Sequence, residues 1–493
     1  MSATRIPHDR YLALFEPRGV VVAGASTHPG KFGFVALHNI LTAGYGGALF
    51  PINRDGGEIL GLDALTDIAQ VPDGEADLIF VCTPASANLD LLRAAADKGI
   101  TAAFIASAGY GEAGEEGRAA QAELVALADE LGMLVVGPNG QGVISTPAKL
   151  CAQIVAPYPP AGNIGVVSQS GNFVSSFQNY AIASGVGISR AVSAGNAAQV
   201  GVVDFLEFFA ADEATDVALA YVEGVTDGRD FARRLRAVCE QIPVVLVKGG
   251  ATSGGARAAA SHTGSLATDD RVFDGMCRQV GAVRATTIEE AYEAAATFAT
   301  QPLPKGPGTI IVSTAGGWGV VTADAISRTD LELLALPEDL RDELDTKLPP
   351  RWSRNNPIDM AGGETKDTIP DVLATASRHP AVDGVVFLGM GIQGNTAKME
   401  REGPFYPDHG LERIVSFHER QDRRYTSTAA ELADELGKPI LTATELAVTS
   451  PDNAAVRGVV DSGKYCYPSS NRAVTALSHL WHYSRWRRRR GLD

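Results

Sequence analysis

Three times in this 493-residue chain a short apolar run breaks into a glycine-rich turn and then into sequence of helical character. The runs are GVVVAG at residues 19–24, IGVV at 164–167 and TIIV at 309–312. The turns follow at once, as GASTHPGKFG at 24–33, SQSGN at 168–172 and STAGGWG at 313–319. Strands apolar along their whole length, alternating with helices, predict parallel sheets covered on both faces. Glycine lets the backbone come close to a neighbour, and the free N–H groups of a helix start face whatever lies there. Each turn therefore reads either as a phosphate cradle or as tight strand–helix packing.

At roughly 150 residues per domain, the length suits about three such units. Proline-marked linkers at 156–160 and 301–308 divide them, giving units over 1–150, 161–300 and 307–462, with a basic tail over 463–493. In the first unit the strands DLIFVCTP (77–84), AAFIASAGY (102–110) and MLVVGPN (133–139) alternate with helical stretches at 87–98 and 116–131. The second strand, ALFPIN (48–53), ends in Asn53 and Arg54. An NAD-binding unit usually carries a carboxylate there for the ribose, so a cation suits a ligand with an extra phosphate, either NADP or coenzyme A.

In the second unit the strand VALAYVEG (217–224) ends in Glu223, at the sheet edge where ligands bind. The strand PVVLVK (243–248) runs into GGATSGGARAAASHTGSLA at 249–267, a glycine-, alanine- and serine-rich segment without a packed apolar face. It reads as a mobile loop carrying one histidine, His262.

The words AAASHTGSLA resemble the phosphohistidine loop of the NDP-forming acyl-CoA synthetases, the superfamily that includes ADP-forming acetyl-CoA synthetase and succinyl-CoA synthetase. The resemblance spans roughly residues 10–460 and implies an α/β fold of three consecutive parallel-sheet domains. A Rossmann-like coenzyme A-binding domain would come first, then two flavodoxin-like domains. It implies that His262 carries a phosphoryl group between two distant sites and that Glu223 hydrogen-bonds the imidazole. Phosphate would be held by Ser168, Gln169, Ser170 and Gly171 and by Ala315, Gly316 and Gly317. Coenzyme A would meet Gly24, Ala25, Ser26, Gly30, Lys31, Arg54, Thr83, Pro84, Ser107, Ala108 and Asn139. Three departures stand out: Asp55 where the family often has lysine, GPNG ending at Gly140 where it has GPNC, and Trp318 where NAGGPG has proline. The ATP-grasp part is missing from the reading, so the chain is expected to be an α-type subunit. ATP or ADP and Mg2+ would then be handled by a partner β-type subunit, with a small carboxylic acid as co-substrate. Assembly would be a hetero-oligomer or a dimer of α subunits, and no metal is expected in this chain.

A formal net charge of -16 argues against a general nucleic-acid binder, because such binding draws on positive charge. The exception is the run Arg485-Trp486-Arg487-Arg488-Arg489-Arg490, read as a solvated tail. Five scattered cysteines without CxxC spacing indicate neither a disulfide framework nor a zinc site. With no signal-like leader and no membrane-length apolar run, the expected location is the cytoplasm. Two competing functions stay open at this point: a non-catalytic sensor of coenzyme A or acyl-CoA, and an NADP-linked reductase.

Overall fold

The computed structural model describes residues 6–155, 157–225, 227–252, 254–255, 269–360 and 367–492. The chain divides into two compact units, one of residues 1–183 and 187–291, the other of 184–186 and 292–493. The expected α/β architecture is present, with three main sheets, two in the first unit and one in the second.

The first sheet is built from β1 (Gly19–Ala23), β2 (Ala48–Ile52), β5 (Leu78–Val81), β6 (Ala102–Ile105) and β7 (Leu134–Val136), while β3 (Glu58–Ile59) and β4 (Leu62–Asp63) form a separate small hairpin. Its order is β2-β1-β5-β6-β7, all parallel. Every residue of β1 and β5 is buried, as their unbroken apolar sequence requires. The order reverses between β1 and β5, and such a switch point opens a crevice at the carboxyl ends of the strands. The Gly24 turn leaves β1 and Thr83 follows β5, so both expected coenzyme A contacts flank that crevice.

The second sheet holds β8 (Gly142–Ser145), β9 (Leu150–Gln153), β10 (Ala161–Ser168), β11 (Ile188–Ser193), β12 (Val217–Val222), β13 (Val244–Lys248) and β14 (Val283–Ala285), in the order β14-β13-β12-β10-β11-β8-β9. Strands β10 to β14 are parallel, and β8 and β9 extend the edge as an antiparallel pair on β11. Residues 142–150, counted with the first unit from the sequence, thus belong with the second sheet. The switch point lies between β10 and β12, where the Gly171–Ser184 helix begins and Glu223 ends its strand.

The third sheet combines β15 (Gly308–Ser313), β16 (Glu332–Leu333), β17 (Ile358–Asp359), β18 (Gly384–Leu388) and β19 (Ile440–Ala443), ordered β16-β15-β18-β19 with β17 also paired to β15. Alternate residues enter separate cores: Ile310, Val312, Val385 and Phe387 on one face, Ile311, Val386 and Leu388 on the other. The second of those cores takes in the segment that leads to the arginine run, while Arg488, Arg489 and Arg490 themselves are exposed. Ser470–Arg489 is a helix whose Ala473, Val474, Leu477 and Leu480 are buried against the sheet. Apolar residues at helical spacing fix one face, and the arginines, concentrated in the last turns, mask that pattern in the sequence. Among the described residues no helix is long and apolar enough to cross a membrane.

Candidate active site

At the first switch point two glycines are demanded by packing. Gly24 has φ +80°, and a Cβ there would lie 3.0 Å from the Cys82 carbonyl carbon; a Cβ on Gly33 would lie 2.1 Å from the Gly24 oxygen. Much of the turn is internally bonded. The His28 N–H donates to Ser26 Oγ at 3.0 Å, and the Gly30 N–H donates to His28 Nδ1 at 3.0 Å. Asn53 Nδ2 donates to the Ala25 carbonyl at 2.9 Å, so the residue replacing the usual acid braces the turn. Lys31 stands at the N-cap position of the following helix without a side-chain capping bond and is exposed. The Arg54 side chain is 93% exposed and pairs with Asp55 at 3.9 Å, a solvated contact of little strength that leaves the guanidinium at the surface.

Two further expected contacts are joined by a residue the sequence did not single out. Thr83 Oγ1 donates to Asn88 Oδ1 at 2.8 Å, and Asn88 Nδ2 donates to Ser107 Oγ at 3.1 Å and Tyr110 Oη at 2.8 Å. Asn88 is fully buried on the helix Ala85–Asp97, which Pro84 precedes. Beyond Ser107, Glu112 closes the loop: its Oε1 accepts from the Gly109 N–H at 2.5 Å and the Tyr110 N–H at 3.1 Å, and its Oε2 from Asn196 Nδ2 at 2.6 Å. Burial alone would raise the Glu112 pKa, but these hydrogen bonds outweigh it and hold the carboxyl below its ordinary range. Asn139 reaches Asn196 Oδ1 from the other side at 3.4 Å. Burial pushes the Cys82 thiol up to about 12, so it is not a thiolate nucleophile at neutral pH.

A cavity of about 560 Å³ lies between the first and second sheets of this unit. Ala108 and Asn139 line it from the coenzyme A side, and Gln169, Ser170 and Gly171 line it from the phosphate side, together with Glu112 and Gln141. The two groups expected from sequence thus face one space. Gly24, Ala25, Ser26, Gly30, Lys31, Arg54, Thr83, Pro84 and Ser107 do not line it, although Phe32, next in the same turn, does.

Ser168 ends β10. Its hydroxyl is fully buried, donates to the Ser170 carbonyl at 2.6 Å and accepts from the Ser170 N–H at 3.1 Å. It shapes the turn that presents Ser170 and Gly171, and is not among the residues that line the cavity. Gln169 locks the adjoining strand, its Oε1 accepting from the Glu223 N–H at 2.6 Å and the Gly224 N–H at 3.4 Å. Glu223 is 6% exposed. Burial, with the neighbouring Glu223 carboxylate adding to it, raises the Tyr221 phenol above its usual range. Phe173 packs edge-on against Tyr221 at 4.5 Å between ring centroids. Lys248, at the end of β13, is drawn below the usual lysine range by burial, against the opposing effect of Asp270. His262 lies outside the described residues, so its distance to Glu223 is not given by the structure.

In the second unit the turn after β15 repeats the device. Ser313 Oγ donates to the Ala315 carbonyl at 2.8 Å and accepts from the Ala315 N–H at 3.0 Å, and the helix Gly316–Ile326 starts next. Thr314 Oγ1 donates to the Gly389 carbonyl across the switch point at 2.7 Å. Asp359 stands against the helix start, where a Cβ on Gly316 would lie 2.6 Å from its Oδ2; Gly317 is open. Trp318, 40% exposed, borders a recess with Leu388, Gly389 and Glu445.

The sequence matches the family description "CoA binding domain" over residues 18–146, "Succinyl-CoA ligase like flavodoxin domain" over 161–298 and "Ligase-CoA domain" over 309–393. It is 33% identical over 479 residues to the α subunit of acetate–CoA ligase (ADP-forming) I of Pyrococcus furiosus, covering 96% of this chain and 98% of that one. The chain belongs to the ADP-forming acyl-CoA ligase family. A second Pyrococcus furiosus α subunit, of acetate–CoA ligase (ADP-forming) II, is 39% identical over 70% of this chain and 75% of its own. Against the ADP-forming acetate–CoA ligase I of Archaeoglobus fulgidus the match is 34% identical over 76% of this chain and 54% of that longer one. The fold agrees as well: the dinucleotide-forming acetyl-coenzyme A synthetase 1 of Ca. Korarchaeum cryptofilum, solved with phosphate and ADP, superposes with a TM-score of 0.81 at 29% identity over 97% of both chains.

Proposed function

We propose that this chain is the α-type subunit of an ADP-forming acid–CoA ligase working through a phosphohistidine at His262. The observation that carries the reading is the shared cavity, in which the coenzyme A-side residues Ala108 and Asn139 meet the helix start at Ser170 and Gly171. In the synthetic direction an imidazole nitrogen of His262 attacks the γ-phosphorus of ATP held by a partner ATP-grasp subunit, with its Mg2+, and ADP leaves. A carboxylate oxygen of the acid then attacks the same phosphorus, the histidine leaves, and an acyl phosphate forms. The thiolate of coenzyme A attacks the acyl carbon and inorganic phosphate departs. Glu223 accepts the other imidazole N–H and keeps the attacking nitrogen unprotonated. The N–H groups in the first turn of the helix that begins at Gly171 hold the phosphoryl charge, a helix start contributing roughly 0.3–1 kcal/mol when exposed and up to about 2 when partly buried. Each step reverses, so the same parts serve ATP synthesis from an acyl-CoA.

The coenzyme A-domain match supports coenzyme A over NADP as the ligand of the first sheet. That the relatives named above are ligases weighs against a purely sensing role. We assign the chain to the cytoplasm. The test is reconstitution with an ATP-grasp subunit from the same genome, following ADP release with a panel of acids and coenzyme A. The expected result is acid-dependent turnover that His262→Ala lowers at least 1,000-fold, the scale of losing a covalent nucleophile. Turnover unchanged by His262→Ala would overturn the mechanism.

A further inference from the structure

Gln141 joins the two halves of the cavity. Its backbone N–H donates to Ser193 Oγ at 3.0 Å, which fixes the residue just beyond the Gly137-Pro138-Asn139-Gly140 loop. Its Nε2 donates to Asn172 Oδ1 at 3.2 Å, in the first turn of the Gly171–Ser184 helix. A Cβ on residue 171 would lie 2.2 Å from Gln141 Cδ, so the amide lies directly over that helix start, and only glycine leaves it room. Its Oε1 is buried and accepts no hydrogen bond among the described residues. An acceptor buried without a donor costs roughly 1–3 kcal/mol, and such an atom beside a ligand cavity is matched when the ligand brings the donor.

The chemistry of the reaction says which ligand that is. Acyl phosphate and the carboxylate co-substrate offer chiefly oxygen acceptors at neutral pH, and inorganic phosphate, which keeps a P–O–H proton, is the group that leaves in the coenzyme A step. The pantetheine arm of coenzyme A offers amide N–H donors close to its thiol. We propose that Gln141 is a positioning residue that accepts a hydrogen bond from the pantetheine amide next to the thiol and so aims the sulfur at the helix start where the acyl phosphate sits. The role rests on the ligase reading. It also gives a purpose to the glycine that follows Asn139. A side chain at Gly140 would meet the Phe104 ring at 2.6 Å and the Ser193 carbonyl at 2.7 Å, so the space belongs to the loop that carries Gln141.

The reconstituted enzyme is assayed with coenzyme A and with an analogue in which an ester oxygen replaces that terminal amide nitrogen. Wild type should show KM for the analogue raised roughly tenfold, the scale of one buried hydrogen bond. Gln141→Met should raise KM for coenzyme A by a similar factor and treat the two compounds alike. If Gln141→Met keeps the full wild-type preference for the amide, Gln141 does not read the arm and the assignment is overturned. Failure of the ligase reading looks different: no phosphorylation of wild type at all.

Discussion

Two strand-to-helix turns in this chain are built alike and finished differently. At Ser168–Gln169–Ser170–Gly171 and at Ser313–Thr314–Ala315–Gly316 a buried strand-end serine closes a ring onto residue i+2, donating to its carbonyl and accepting its N–H, before the helix begins with glycine. What stands over the glycine differs, with the neutral amide of Gln141 at the first and the carboxylate of Asp359 at the second. A helix start has the equivalent of about half a positive charge to offer. At Gly316 a carboxylate lies against it, whereas at Gly171 a neutral amide does, and that is also the turn that opens on the large cavity. On the proposed reading, the same local architecture serves as an anion site in one place and as a carboxylate-bound brace in another.

The comparison can be broken most sharply by adding a methyl group to each glycine. Gly171→Ala would displace the Gln141 side chain and move the first N–H groups of the helix, and we expect phosphorylation of the chain by ATP to fall about 100-fold, the cost of losing an aligned anion donor. Gly316→Ala displaces Asp359 Oδ2 instead, and the expected loss is tenfold or less. Equal losses would show that both helix starts carry the phosphoryl group to the same degree.

A smaller effect sharpens the coenzyme A side. The Glu112 carboxyl is held below its ordinary range by Asn196 and the Gly109 and Tyr110 N–H groups, against the effect of burial. A group with a depressed folded pKa supports the fold above its unfolded value, near 4.3, and that support is lost as pH falls through the folded value. Glu112→Gln should raise KM for coenzyme A a few-fold at pH 7 and flatten the part of the acid-unfolding curve below about pH 4.3. An unchanged acid limb would mean that Glu112 contributes nothing to holding the 109–111 loop.

Much of the fold was legible because its strands are short, apolar and buried on both faces, as β1 and β15 are, and because each ends in a turn rich in glycine. The edge hairpin of β8 and β9 was not, since nothing in GVIS or LCAQ says which sheet will accept it. The last helix was hidden because five arginines in six residues outweigh the apolar face of Ala473, Leu477 and Leu480. Site residues with a family word, such as Asn139 and Gly171, fell on the cavity. Asn88, Glu112, Gln141 and Asn196 carry no such word. They are ordinary polar residues whose meaning appears only when separate stretches meet, although the doubled S-x-[SA]-G pattern could have pointed to the twin turns.

The central claim is that phosphate travels on His262. Its most direct test is to incubate the chain and its ATP-grasp partner with γ-labelled Mg-ATP and map the acid-labile label by mass spectrometry. Label on His262 that a suitable acid discharges, and that reaches inorganic phosphate only when coenzyme A is supplied as well, is the predicted result. With a partner shown to bind ATP, a chain that takes up no label at His262, or one whose label sits elsewhere, would contradict the account.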